Sequence, residues 1–266
     1  MVAARRALRR GGFQVQRLGR LNDHLVFVVG SPRSGTTFVG RALGSLPGFV
    51  DLGEVEPLKA AVGELVGLPE DESARRIRRI LDRTRRLGLL GGLRAVEQTP
   101  GNVFVLAAVQ RAFPHASFVH IVRDGRDVVC SLLDRGWLRA ERGGHDGVGQ
   151  PFGAVARFWV EPGRRGEFSQ VSDARRAAWA WRRHIEAVRG SRVAVHEVRY
   201  ERLHSDSVLV AQGLASYLDV AVAPLSRVLR RAHGRSVGRW RHELDEGQLA
   251  DVLAESGTLL DELGYA

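Results

Sequence analysis

Apolar residues along this chain come in short blocks divided by glycine-rich or polar turns. Leu25-Val26-Phe27-Val28-Val29 is uninterrupted and runs into Gly30-Ser31-Pro32-Arg33-Ser34-Gly35, which predicts a buried strand ending in a glycine-rich turn. Apolar positions then recur at helical spacing from Thr36 to Leu46, until Pro47-Gly48 stops them. The stretch from about Asp71 to Leu87 sets arginines around Ile77, Ile80, Leu81 and Leu87, the pattern of a surface helix with a basic outer face. Arg94–Glu97 reads as a short strand, Val103–Phe113 as a helix closed by Pro114, Ser117–Val122 as a second buried strand and Val128–Asp134 as the helix after it. The strand, loop and helix unit has recurred three times. Such alternation predicts an α/β fold, P-loop-like, with a mostly parallel central sheet flanked by helices, and ligands of such sheets bind beyond the carboxyl ends of the strands.

From Gly136 to about Ser172 the periodicity dissolves into glycine, arginine and the aromatics Trp137, Phe152, Phe158, Trp159 and Phe168, which suggests a loop or lid on the acceptor side. Beyond it the pattern predicts a helix over 173–189, a strand at Arg192–Val195, a helix over 206–218 and a last helix at about 246–263. Residues 1–23 form a basic, weakly patterned segment. With no repeat and no clear linker, 1–266 is read as a single domain.

Composition narrows the choices. At 266 residues and 44% hydrophobic the chain is too apolar for a disordered protein, and no run of about 18 apolar residues could span a bilayer. The basic start lacks an apolar stretch and cleavage site after it, so a cytoplasmic protein is expected. Cys130 is the only cysteine, which excludes an internal disulfide and a cysteine-built metal cluster. The net charge of +10 points to an anionic partner. Lys59 is the only lysine; any role that demands one falls on it.

Two motifs choose among anions. In Gly30-Ser-Pro-Arg-Ser-Gly35-Thr36-Thr37, between a strand and a helix, main-chain N–H groups and the positive helix end would cradle a phosphate. The spacing begins as a nucleoside-triphosphate loop but has Thr36-Thr37 where that loop carries lysine and a hydroxyl, which argues against a kinase; Arg33 is the replacement cation. The second motif, Arg123-Asp-Gly-Arg126-Asp-Val-Val-Cys-Ser131-Leu-Leu-Asp-Arg135, follows another strand. Ser131 and Arg135 share a helix face, and with Arg123 they can converge on one phosphate.

These residues resemble the sulfotransferases that use 3′-phosphoadenylyl sulfate (PAPS). Ser31-Pro-Arg-Ser-Gly-Thr-Thr37 is similar to the family's 5′-phosphosulfate loop, in the arginine version of tyrosylprotein, carbohydrate and many bacterial members; Arg123, Ser131 and Arg135 resemble its 3′-phosphate site. Glu97-Gln98-Thr99-Pro100 resembles its Glu-Lys-Thr-Pro turn, Val198–Leu203 its Tyr-Glu-Asp-Leu segment, and Ser236-Val-Gly-Arg-Trp-Arg241 its late loop over the nucleotide. The resemblance implies transfer of a sulfuryl group to a hydroxyl of a small-molecule, carbohydrate or natural-product acceptor, without metal, leaving 3′,5′-adenosine bisphosphate (PAP). It implies that Arg33, Ser34, Gly35, Thr36 and Thr37 hold the 5′ end, and that Tyr200, Ser236, Gly238, Arg239 and Trp240 close over the nucleotide. It also implies a glutamate base soon after the first helix: Glu54 is the first choice and Glu56 the second. Gln98 stands where the family has lysine, so either it donates to the sulfuryl group or Arg33 does that work alone.

A P-loop kinase and a basic nucleic-acid-binding protein are the competing readings, and neither nucleic acid nor membrane is the expected partner. A member that binds the nucleotide without turnover is a third. His120, His184 and His196 read as satisfied core histidines, Cys130, Trp179 and Trp181 as packing, and the arginines from 75 to 86 as a solvated face.

Overall fold

A computed structural model describes residues 21–88, 90, 92–138 and 156–265. Most of the basic N-terminal segment, and residues 139–155 of the expected lid, lie outside them. The order is β1 (Val26–Gly30), α1 (Thr36–Gly44), β2 (Phe49–Gly53), α2 (Glu56–Leu65), α3 (Glu70–Leu87) and β3 (Arg94–Glu97). A 3-10 helix (Pro100–Val105), α4 (Leu106–Ala112), β4 (Ser117–Val122) and α5 (Gly125–Arg135) follow. After a 3-10 turn at Pro162–Arg164 come α6 (Arg165–Gln170), α7 (Asp173–Gly190), β5 (His196–Arg199) and α8 (Arg202–Ser205). The chain ends in α9 (Ser207–Leu218), α10 (Val222–Leu229), α11 (Trp240–Glu243) and α12 (Glu246–Glu262).

The five strands make one parallel sheet in the order β2-β3-β1-β4-β5. Helices cover both faces. Side chains of a strand alternate between faces, and β1 shows why its sequence is continuously apolar. Leu25, Phe27 and Val29 pack with Leu58 of α2, Ile77 of α3 and Val109 of α4. Val26 and Val28 pack on the opposite face with Val39 of α1, Leu214 of α9 and Leu225 of α10. A third cluster joins Val128 and Leu132 of α5, Trp179 and Trp181 of α7 and Leu260 of α12.

β1 pairs with β4 from Val26 opposite Ser117 to Gly30 opposite Ile121, so the two strands end level. Their following turns therefore open side by side at the carboxyl edge of the sheet, where the connections to β2 and β5 diverge.

Several sequence readings shift. The strand expected at Arg192–Val195 lies four residues later, because it is His196–Arg199 that pairs with Val119–Val122; Val193 and Val195 pack into the core ahead of it. The strand β2 and the helix α2 had no strong periodic signal, and the helix expected from Val103 opens as a 3-10 turn. Within the expected lid, Trp159 and Phe168 are buried core residues stacked edge to face at 5.4 Å. His120 is buried, but its Nε2 has no hydrogen-bond partner, so it is not the satisfied histidine expected. Arg85, inside the basic run, is wholly buried and paired with Asp82 at 2.6 Å.

Candidate active site

The turn after β1 is shaped by three residues with positive φ: Gly30 at 154°, Arg33 at 71° and Gly35 at 97°. A Cβ on Gly30 would lie 2.5 Å from the Ile121 carbonyl oxygen of the neighbouring strand, and one on Gly35 would lie 2.6 Å from Cδ2 of Tyr200. Both glycines are required by close approach as well as by backbone conformation. Arg33 holds the left-handed region without that freedom, a strain that persists where the surroundings over-determine it. Ser34 N donates to Ser31 O at 3.1 Å, closing the turn. Gly35 then caps α1 with no side-chain cap and no acidic residue in the first turn, which leaves the positive end of the helix unneutralised. Ser34 Oγ is buried in this cradle without a hydrogen-bond partner.

The turn after β4 meets the first one. Arg33 Nε donates to Ser131 Oγ at 3.0 Å, and Arg123 Nη1 donates to the Arg33 carbonyl at 2.9 Å. Arg123 Nη2 donates to the Ser236 carbonyl, its guanidinium lies 4.4 Å over the Tyr200 ring, and its Nε is buried without a partner. Arg135, at the exposed end of α5, completes the group. Burial, then the charges of Arg135 and Arg123, push the Arg33 guanidinium below its ordinary pKa. Cations crowded in this way, with unspent donors between them, fit an anion.

The late loop is fastened from beneath. Asp127 accepts from Gly238 N at 2.7 Å and Trp240 N at 3.1 Å, and Tyr200 Oη and Ser236 Oγ are 2.9 Å apart. Arg239 is tied to Asp134 at 2.6 Å and to Glu243; Trp240 stacks 4.0 Å from the Arg126 guanidinium. Asp127 stood inside the quoted motif, but its spacing gave no hint that it holds a loop more than a hundred residues away.

These groups open on a cavity of about 700 Å³. Arg33, Gly35, Thr36, Thr37, Arg123, Ser131, Tyr200, Ser236 and Arg239 line it; Ser34, Arg135, Gly238 and Trp240 are not among its lining residues. Leu203, from the Val198–Leu203 segment, also lines it, as do His204, Val228 and Arg231, which the sequence reading missed.

The other wing is built from β2, α2 and the Thr-Pro turn. Glu54 lines it and pairs with Lys59 Nζ at 2.8 Å, whereas Glu56 is exposed at the start of α2 outside the lining. Gln98 is absent from the lining: its side chain is buried against Gly40 of α1, which turns it away from the position the family's lysine suggested. Glu97 is fully buried and accepts from Thr99 N at 2.9 Å, Asn102 Nδ2 at 2.6 Å and Val55 N at 3.2 Å. Burial pushes its carboxyl up to about 7 despite those bonds. Val62, Phe158, Trp159 and His184 wall the far end. His184 Nδ1 sits 2.7 Å from the Ala180 carbonyl, and burial lowers its pKa to about 4, so it is neutral at pH 7. Cys130 is buried, and desolvation holds its thiol up at about 12.

The five strands form a parallel α/β sheet whose two glycine- and arginine-bearing turns open side by side at level strand ends, the place where such sheets bind their ligands. The sulfotransferase family model matches residues 75–224, and the chain belongs to that family. The first turn and the late loop fall outside the matched range. Solved structures give the same fold. The sulfotransferase domain of a Synechococcus olefin synthase aligns at 17% identity and TM-score 0.55, over 94% of this chain and 98% of its own. Sulfotransferase STF9 of Mycobacterium avium aligns at 15% identity and TM-score 0.51, over 92% and 77%. A mouse sulfotransferase complexed with PAP aligns at 14% identity and TM-score 0.51, over 91% and 90%. No curated protein matches the chain in sequence. Among the described residues no helix is long and apolar enough to cross a membrane, and no group of three or more His, Cys, Asp or Glu could hold a metal ion.

Proposed function

We propose that the protein transfers a sulfuryl group from PAPS to a hydroxyl of a small-molecule, carbohydrate or natural-product acceptor. One observation carries this reading: the cation of the first turn touches the hydroxyl of the second, Arg33 Nε to Ser131 Oγ at 3.0 Å, above one cavity. Two anion-binding turns on one cavity suit a nucleotide charged at both its 5′ and 3′ positions. The unpartnered Ser34 Oγ and Arg123 Nε, and the glycine cradle against Tyr200, fit such a ligand.

In this reading the main-chain N–H groups of the first turn, with Arg33 and the Thr36 and Thr37 hydroxyls, hold the 5′-phosphosulfate. Arg123, Ser131 and Arg135 hold the 3′-phosphate, arginine's planar fork being suited to phosphate oxygens. Tyr200 and Ser236 close over the nucleotide; Gly238 and Trp240, held by Asp127, place Ser236 and Arg239 rather than touch it. Glu54 is the base, since it faces the cavity and Glu56 does not. As the acceptor oxygen attacks sulfur, its proton passes to Glu54 and charge grows on the leaving phosphate oxygen beside Arg33 and the helix end, where fixed donors stabilise it.

Calorimetric titration with PAP tests this, with ATP plus magnesium and duplex DNA as controls. Binding of PAP well ahead of ATP is the expected result. If a folded sample binds ATP or DNA and not PAP, the reading is wrong.

A further inference from the structure

Resting on that proposed function, we infer that Lys59, brought into the cavity by α2, is the cation that meets the sulfuryl oxygens from the acceptor side. It is the chain's only lysine and lines the cavity, with its side chain 18% exposed. Its ammonium carries three donors and spends one on Glu54 Oε2 at 2.8 Å; among the described residues it has no other partner. Glu54 is held at the bend after β2, and Lys59 N donates to Val55 O at 2.9 Å in the first turn of α2, so strand end and helix start fix the pair together. Val62, one turn further along the same face of α2, lines the same cavity.

Arg157 also lines this wing, its guanidinium 5.9 Å over the Phe158 ring, but the residue at the family's lysine position does not. Gln98 is packed against Gly40, and its Oε1 is buried without a partner. The arginines of the donor turns stand on the leaving side. A sulfuryl group in flight needs compensation at both ends, because its oxygens keep their charge while the bond to phosphate breaks.

The ion pair supplies a timing that a lone lysine would lack. In the transfer, the acceptor O–H bond breaks and its proton goes to a Glu54 carboxylate oxygen. The acceptor oxygen forms the new bond to sulfur, and the sulfur–oxygen bond to the 5′-phosphate breaks with its electron pair left on phosphate. Glu54 loses its negative charge in that step. The Lys59 ammonium is released from its partner as the sulfuryl oxygens come nearest to it.

PAPS and PAP differ by the sulfuryl group alone, so the ratio of their affinities, measured by calorimetry without any acceptor, reads this contact directly. Lys59→Met should lower the preference for PAPS over PAP about tenfold, the worth of one charged hydrogen bond, and leave PAP binding within about twofold. Lys59→Arg should keep most of the preference. Glu54→Gln should raise it, because the ammonium is no longer shared. A merely structural ion pair would lower the melting temperature in both single variants and leave the ratio alone. An unchanged ratio in Lys59→Met overturns the inference while PAP binding leaves the donor site standing; failure of the wild type to bind PAP removes the donor reading and this inference with it. Should Lys59→Met not fold, Lys59→Gln carries the same comparison.

Discussion

Arg123 reaches from the end of β4 to the main-chain carbonyl of Arg33, 2.9 Å away, and so holds the backbone of the first turn with the side chain of the second. The residue is a strut as well as a charge. Its other terminal nitrogen takes the Ser236 carbonyl, which ties the late loop to the same point.

Arg123→Ala is therefore expected to act twice. Loss of a buried charged donor should weaken PAP binding about 10- to 100-fold, and the two abandoned carbonyls should cost about 2 kcal/mol of stability. Calorimetry and urea melts on one preparation separate the effects. Wild-type PAP affinity in the variant would rule out a nucleotide role for Arg123.

Gly35→Ala should be more damaging than its size suggests. The new Cβ meets the Tyr200 ring at 2.6 Å, at a φ of 97° that alanine rarely adopts, for a cost of about 1–3 kcal/mol. Adding Tyr200→Ala removes the collision and leaves the backbone strain, so the double variant should recover part of the lost stability. If Gly35→Ala melts with the wild type, the turn and the Tyr200 ring yield enough to take a methyl group.

Stability should respond to pH in two opposed directions. Glu97, raised from 4.5 to about 7, keeps in the folded protein a proton that the unfolded chain has released. Its contribution is full below about pH 4.5 and is lost as pH rises to 7, on the order of 3 kcal/mol. His120 and His184, lowered from 6.5 to about 4, do the reverse: the unfolded chain takes protons the folded one refuses, so stability present above 6.5 is lost as pH falls to 4. Chemical denaturation from pH 4 to 8 should show a shallower acid loss in His120→Leu and a smaller decline toward neutrality in Glu97→Gln. Parallel curves for all three proteins would refute the assignment.

Glu255 on α12 is the keystone of a buried charge cluster. Its side chain is 1% exposed and faces Arg182 at 2.8 Å, Arg164 at 3.1 Å and Arg175 at 3.3 Å. Glu255→Gln removes the anion the three guanidiniums share, while Arg164 and Arg175 keep Glu167 and Arg182 keeps Glu161 and Glu186, so the loss should be about 1–3 kcal/mol. Because none of these four residues lines the cavity, the folded fraction should still bind PAP with wild-type affinity. A variant that melts normally would show that Glu167, Glu161 and Glu186 hold the three arginines without Glu255.

The sequence by itself determined the parts whose cause is local. The apolar run of β1, the glycines at 30 and 35 and the helical spacing of α1 and α5 each encode their own conformation, and the place of both turns was legible for that reason. Strand β2 and the position of β5 were not, because Phe49–Gly53 and His196–Arg199 become strands only by pairing with β3 and β4. Tertiary structure alone decided which donor meets which acceptor: Arg33 with Ser131, the late loop with Asp127, Lys59 with Glu54. It also turned Gln98 into α1 and left Lys59 facing the cavity, since a side chain's direction depends on what the rest of the chain packs beside it and carries no signal in its own spacing.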